Sequence, residues 1–216
     1  MIECKGRIAV LTSGGDAPGM NAAVRAVVRT GIAKGYEVFG VKRGYNGILN
    51  KEMELMTFQD VSEKLQNGGT FLFTARSAEF GEEAGKKKAA AICKEMGIDT
   101  LVVIGGDGSF TGAKDLSKYG VNVIGLPGTI DLDIAYTEYT IGFDTAVNTA
   151  MEAIDRLRET SNSHERCSVV EVMGRSAGYI ALWCGIANGA EEILLPERFD
   201  NDYDKLIEEI KKNREA

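Results

Sequence analysis

The stretch Leu101-Val-Val-Ile-Gly-Gly-Asp107-Gly-Ser109 decides how this chain folds. Apolar, mostly β-branched residues run straight into glycines and one carboxylate. Such a run reads as a strand buried on both faces of a parallel sheet, ending in a loop. The same grammar occurs in Ile8-Ala-Val-Leu-Thr-Ser-Gly-Gly-Asp16 and in Val123-Ile-Gly-Leu-Pro-Gly-Thr-Ile-Asp131-Leu-Asp133. In an open α/β sheet, ligands bind outside the carboxyl ends of the strands, so the three loops are expected at one edge. They combine bare backbone N–H groups, suited to phosphate, with carboxylates suited to Mg²⁺ or proton abstraction. That combination points to phosphoryl transfer.

Working outward, strands and helices alternate. Ile8–Leu11 is followed by a helix over Asn21–Lys34, with Gly35 as its stop. Glu37–Lys42 reads as a strand, 44–57 as loop, and Gln59–Gln66 as a short helix. A helix over Gly85–Met96, a strand over Thr100–Ile104, a helix over Thr111–Lys118 and a strand over Val121–Leu126 follow. Thr145–Thr160 is amphipathic, with Val147, Met151, Ile154 and Leu157 on one face. Cys167–Met173 reads as a buried strand, Ser176–Ala187 as an apolar helix, Glu192–Leu195 as a strand, and Tyr203–Asn213 as a charged helix. The pattern predicts a doubly wound, three-layer α/β fold with a mainly parallel sheet. Two domains are expected, 1–142 and 143–216. The second offers only two strands and ends on a helix, so it reads as incomplete.

Composition narrows the function. The 216 residues are 44% hydrophobic, enough for a sizeable core, and the formal net charge is -7. An acidic chain has no general affinity for nucleic acid or anionic membrane, so an anionic substrate must be held by local positive features. The polar start Met1–Arg7 and the short apolar run after it read as neither a leader nor a membrane span, so none is expected. Cys4, Cys93, Cys167 and Cys184 lie far apart without a C-x-x-C pair, which reads as reduced thiols in a cytoplasmic protein. His164 is the single histidine, which argues against zinc.

Each loop carries its own chemistry and its own plainer alternative. Gly14 and Gly15 let phosphate approach the backbone ahead of a helix N-terminus, with Asn21 as a helix N-cap; the alternative is a tight turn built on Pro18 and Gly19. The loop is not a Walker A motif and lacks G-x-G-x-x-G. Asp107 supplies the single carboxylate that Mg²⁺ often takes alongside phosphates, unless Gly105–Ser109 simply packs strand on helix. Asp131 and Asp133 point the same way if the backbone is extended, one as a base for an attacking hydroxyl; turn stabilisation is the alternative. Arg76 and Arg175 are guanidinium candidates for phosphate, against the reading of ordinary surface arginines.

Thr-Ser-Gly-Gly-Asp-Ala-Pro-Gly-Met-Asn, Gly-Gly-Asp-Gly-Ser, Pro-Gly-Thr-Ile-Asp and Met-Gly-Arg-x-x-Gly together resemble the ATP-dependent 6-phosphofructokinases of bacterial type. Lipid- and NAD-kinase-like enzymes also use Gly-Gly-Asp-Gly, but that explains one loop only. The resemblance implies a phosphofructokinase-like fold and transfer of the ATP γ-phosphoryl group to the 1-hydroxyl of fructose 6-phosphate, in glycolysis. By it, Gly15, Arg76, Ser77, Gly106, Asp107, Gly108 and Ser109 line ATP, and Asp107 holds Mg²⁺. Thr129, Ile130, Asp131, Met173, Gly174 and Arg175 meet the sugar, with Asp131 as base and Thr129 and Arg175 beside it. Arg166 reaches the sugar phosphate of a neighbouring subunit. Gly108 and Gly128 fit the ATP-using rather than the pyrophosphate-using branch. An effector site for ADP or phosphoenolpyruvate would use Arg25, Arg29, Arg158, Gly189 and Glu191, and the family implies a homo-oligomer, typically a tetramer.

The chain departs from that pattern. Phe58 stands where arginine is usual in the effector site, Leu132 where asparagine is usual, and Ser77 where an aromatic is common. Family members also run roughly a hundred residues longer, so a C-terminally truncated form, with an ATP/Mg-binding domain and a partial sugar-phosphate domain, is the expectation. A nucleotide-binding module without turnover is the alternative.

Overall fold

The computed structural model describes residues 4–215, so the start of the polar N-terminal stretch and Ala216 lie outside the described residues. Two units divide it: 1–129 with 134–142, and 130–133 with 143–216.

The first unit is built on a sheet of β1 (Arg7–Ser13), β2 (Glu37–Val41), β3 (Met53–Leu55), β4 (Thr100–Gly105), β5 (Asn122–Thr129) and β6 (Ile141–Gly142), in the order β3-β2-β1-β4-β5-β6. All neighbours are parallel except β2 and β3. Val10 stands opposite both Gly40 and Val102. Ala9, Val10 and Leu11 of β1 and Leu101, Val103 and Ile104 of β4 are fully buried. These two central strands confirm the reading of a run apolar on both faces.

Alternation sends neighbouring side chains to opposite layers. Ala9, Leu11, Leu101 and Val103 face one layer, where they meet α2 (Gly44–Leu49), α4 (Glu83–Glu95) and α5 (Asp107–Ser117) through Ile48, Ile92 and Leu116. The other face carries α1 (Met20–Ala33), which packs on β1, β2 and β4. There Gly31 lets the helix sit low: a Cβ on it would lie 2.6 Å from Cγ2 of Val38. Helix, sheet and helix make the predicted three layers.

Several expectations change. Residues 44–57, read as loop, contain α2 and β3, and Gln59–Gln66 forms turns rather than a helix. A short helix α3 (Ala78–Gly81) precedes α4, and a two-residue strand β6 lies between the expected strand Val121–Leu126 and the expected helix Thr145–Thr160. β5 is not buried on both faces. Val123 packs into the α5 layer, but Ile124 on the opposite face is 53% exposed.

The second unit packs α6 (Phe143–Ser163) on α7 (Tyr179–Asn188), followed by α8 (Tyr203–Glu215). Phe143, Val147, Ile180 and Cys184 form its buried centre, joined by Ile130, Leu132, Met151 and Ile154. Asn188 ties the two helices, donating through Nδ2 to Asp155 Oδ1 at 2.7 Å. Leu157 lies off this seam and is exposed. The expected strands Cys167–Met173 and Glu192–Leu195 are absent. A strand needs a neighbour for its N–H and C=O groups. Among the described residues these segments have none, and Val169 and Met173 stand open to solvent.

The two faces of the sheet make a test. Leu101→Ala should cost about 2–5 kcal/mol, the range for truncating a fully buried leucine. Ile124→Ala should change stability by less than about 1 kcal/mol. Urea denaturation of the two variants compares them directly.

Candidate active site

β1 is flanked by β2 on one side and β4 on the other, so the chain leaves their carboxyl ends in opposite directions. That is a topological switch point, where open α/β sheets keep a crevice for ligands. At the β1 end, Gly14 has a left-handed φ of 87°, and a Cβ on Gly15 would meet open space. α1 begins at Met20 with Gly19 as its N-cap, and it has no acidic residue in its first turn. Unpaired N–H groups and the helix dipole there favour an anion. Asn21 is not the cap that its type suggested. It lies inside the first turn and uses its amide on another loop.

At the β4 end, Gly105 is buried against β1. A Cβ on it would lie 2.4 Å from the Ser13 carbonyl oxygen and 2.7 Å from the Ser109 hydroxyl. Gly106 caps α5, which opens at Asp107, so the aspartate stands on a helix rather than in an extended loop. Asp107 and Gly108 are exposed and Ser109 is buried. Among the described residues there is no cluster of three metal-binding side chains. A single exposed carboxylate suits Mg²⁺ carried in with phosphates, because that ion keeps waters and needs few protein ligands.

A second layer that sequence reading missed holds this turn in place. Tyr45 of α2 donates its buried hydroxyl to the Ser109 carbonyl oxygen at 2.5 Å. Its ring stacks on Phe80 of α3, with centroids 4.0 Å apart. Both rings press on Gly112 of α5, where a Cβ would lie 2.9 Å from Phe80 and 3.0 Å from Tyr45. Burial pushes the Tyr45 pKa upward, so it remains a donor. The only sequence signal was an aromatic in a segment read as loop. Ser77, expected at the nucleotide, caps α3 by accepting from the Phe80 N–H at 3.2 Å. Arg76 beside it is exposed.

The β5 end adjoins the β4 end: a Cβ on Gly106 would lie 3.5 Å from Thr129 Cβ. Thr140 donates to the Thr129 carbonyl oxygen at 2.6 Å. Gly128 is buried against Ile104 and Met20, so its small size serves packing, whereas Gly108 faces open space. Gly15, Gly106 to Ser109 and Thr129 therefore belong to one edge of the first unit.

In the second unit, Asp131 is half-buried, and that burial, followed by the charge of Asp133, raises its pKa, while Arg175 opposes the rise. The loop is not extended, since Leu132 has φ 57°. The two carboxylates interact across a left-handed residue instead of by simple alternation. Ile130 and Leu132 anchor the loop in the apolar centre of the unit. After Met173, Gly174 to Ala177 form a turn that carries Arg175: Ala177 N–H donates to the Gly174 carbonyl oxygen at 2.8 Å, and a Cβ on Gly174 would lie 2.4 Å from the Ala177 carbonyl oxygen. Met173, Arg175 and Arg166 are exposed.

The remaining basic candidates lie elsewhere. Arg25 and Arg29 are on α1, and the Arg29 guanidinium sits 5.0 Å from the Phe58 ring centroid. In the second unit, Arg158 donates to the Asn188 carbonyl oxygen, next to the left-handed Gly189 that ends α7. Glu191 is exposed nearby in sequence.

A family model described as phosphofructokinase matches residues 7–216. The chain belongs to the phosphofructokinase family. An ATP-dependent 6-phosphofructokinase of Clostridium botulinum strain Hall is 63% identical over 203 residues, which is 94% of this chain and 63% of that protein. One from Clostridium tetani is 63% identical over 209 residues, 96% of this chain and 66% of the relative. Among solved structures, phosphofructokinase from Saccharomyces cerevisiae matches 98% of this chain and 32% of its own, at 44% identity and a TM-score of 0.87. This phosphofructokinase-family chain thus spans about two thirds of the length of the bacterial relatives it matches.

The site geometry makes two predictions. Tyr45→Phe in this phosphofructokinase chain removes a buried hydrogen bond to a carbonyl that α5 also pairs, and should cost about 0.5–1.5 kcal/mol, read from the denaturation midpoint. Asp131→Asn should stabilise the protein above the folded-state pKa of Asp131. The folded state holds that proton more tightly than the unfolded state, so ionisation removes stability as pH rises through the interval between the two pKa values. The gain should vanish at pH values below the unfolded pKa; thermal unfolding of both proteins across pH checks the sign.

Proposed function

We propose that this chain carries the ATP-, Mg²⁺- and base-bearing part of an ATP-dependent 6-phosphofructokinase. The carrying observation is the glycine-lined edge at the β1 and β4 ends, with Asp107 opening α5, in a chain 63% identical to enzymes of that name. In this reading residues 1–142 bind ATP and 143–216 form part of the sugar-phosphate side. Gly15, Gly106, Gly108 and Ser109 admit the nucleotide phosphates to the backbone, with Arg76 and Ser77 at their flank. Asp107 would hold Mg²⁺, which when bound neutralises phosphate charge.

Asp131 takes the proton from the 1-hydroxyl of fructose 6-phosphate as that oxygen attacks the γ-phosphorus and ADP leaves. Its raised proton affinity makes it a stronger base than an ordinary exposed carboxylate. Arg175 counters the charge of Asp131, while Thr129, Ile130, Met173 and Gly174 shape the sugar side. Arg166 serves a neighbouring subunit's sugar phosphate in a homo-oligomer. Arg25, Arg29, Arg158, Gly189 and Glu191 would form an effector site for ADP or phosphoenolpyruvate, with Arg29 already engaged by Phe58. A cytoplasmic setting matches this role, and among the described residues no helix is long and apolar enough to cross a membrane.

A second reading is nucleotide binding without turnover. A coupled assay for fructose 6-phosphate-dependent ADP release, run beside Mg-ATP calorimetry, separates the two. Turnover with binding supports the kinase; binding alone supports the module. Asp131→Ser should lower turnover by roughly 10²–10⁴-fold, the usual contribution of a general base, and leave Mg-ATP affinity unchanged. A loss confined to ATP affinity would contradict the base role.

A further inference from the structure

The segment Asn67–Phe73 has no regular secondary structure, yet buried polar groups hold it along its whole length. Asn21 is 2% exposed and spends its entire amide there. Its Nδ2 donates to the carbonyl oxygens of Asn67 at 2.9 Å and Gly68 at 3.1 Å, and its Oδ1 accepts from the Phe71 N–H at 2.9 Å. The fully buried Thr12 hydroxyl lies 2.8 Å from Thr70 Oγ1 and donates to the Phe73 carbonyl oxygen at 3.0 Å. From β2's far end, the Arg43 N–H donates to the Leu72 carbonyl oxygen at 2.8 Å, and the buried Leu72 side chain fills the space over Gly40.

This anchoring has a direction. Asn21 and Thr12 flank the Gly14–Asp16 turn in sequence, on α1 and β1. The loop they hold places Gly69 beside that turn, where a Cβ would lie 3.9 Å from Asp16 Oδ2. Three residues beyond Phe73 stands Arg76, exposed and without a hydrogen-bond or ion-pair partner among the described residues. Asn21 is buried, so it has no surface to offer a ligand itself. Both of its donors and its acceptor are saturated by one loop, a use that capping or core packing does not explain.

We infer that Asn21 is a positioning residue for nucleotide binding: it clamps the Asn67–Phe73 loop against the Gly14–Asp16 turn and thereby sets where Arg76 stands. The inference rests on the nucleotide reading above. It makes Asn21 act through Arg76, and a double-mutant cycle isolates that dependence.

The experiment measures Mg-ATP affinity by calorimetry for the wild-type chain, Asn21→Ala, Arg76→Ala and the double variant, with amide exchange at Phe71 and thermal unfolding in parallel. Asn21→Ala should speed exchange at Phe71 and weaken Mg-ATP about tenfold, but weaken it less than about twofold when Arg76 is already alanine. If Asn21→Ala does not fold, Asn21→Asp takes its place. That near-isosteric variant keeps the acceptor for Phe71 and loses both donors. Equal weakening with and without Arg76 overturns the positioning role, because the effect would then be general. Fast exchange at Phe71 with unchanged affinity overturns it as well. A wild-type chain that binds no Mg-ATP sinks the nucleotide reading itself and this inference with it.

Discussion

The missing side chain of Gly105 is the constraint on which the first unit depends. Without a Cβ at that position, the ends of β1 and β4 close to within contact of the Ser13 carbonyl and the Ser109 hydroxyl. With one, they would have to part. Close approach at a switch point turns two ordinary strand ends into one glycine-lined edge. The α5 N-terminus, Asp107 and the adjoining Thr129 take their places from it. A stacked Tyr45–Phe80 pair then presses on Gly112 from below, so the turn is braced on the side away from solvent.

The second unit follows a different rule. Its loop around Asp131 is fixed by apolar anchors on either side of the aspartate, Ile130 and Leu132, rather than by glycines. Leu132 adopts a left-handed backbone that costs a β-carbon-bearing residue roughly 1–2 kcal/mol, and its packing offsets the strain. The result is a carboxylate whose proton affinity is raised by burial and by Asp133, and moderated by Arg175. The edge at the β1 and β4 ends is thus open and glycine-rich, whereas Asp131 sits in a partly desolvated loop.

Legibility in sequence tracked how local each determinant is. β1, β4, α1 and α6 were readable because buried strands and amphipathic helices write their period into a few consecutive residues. Residues 44–57 were not: α2 is six residues long and contains two glycines, so its helicity comes from packing of Tyr45, Ile48 and Leu49 rather than from propensity. The apolar segment Cys167–Met173 erred in the other direction. β-branched residues make a strand only when a neighbouring strand is there to pair, and among the described residues none is. Asn21 carried a capping residue's identity, but the turn at Gly19 took the cap, and a loop some fifty residues away took the amide.

By itself the sequence determined the α/β class, the parallel order of strand and helix, and the three carboxylate-bearing loops, because strand period and glycine content are properties of contiguous residues. Family membership also followed from joint motifs that no single loop specifies. Tertiary structure alone decided that Asp107 opens a helix, that Ser77 caps one, that Tyr45 braces Ser109, and that Leu132 turns the Asp131 loop left-handed. Each of those depends on groups distant in the chain meeting at fixed distance. Hydrogen bonds, close contacts and desolvation act only once the fold has brought such groups together.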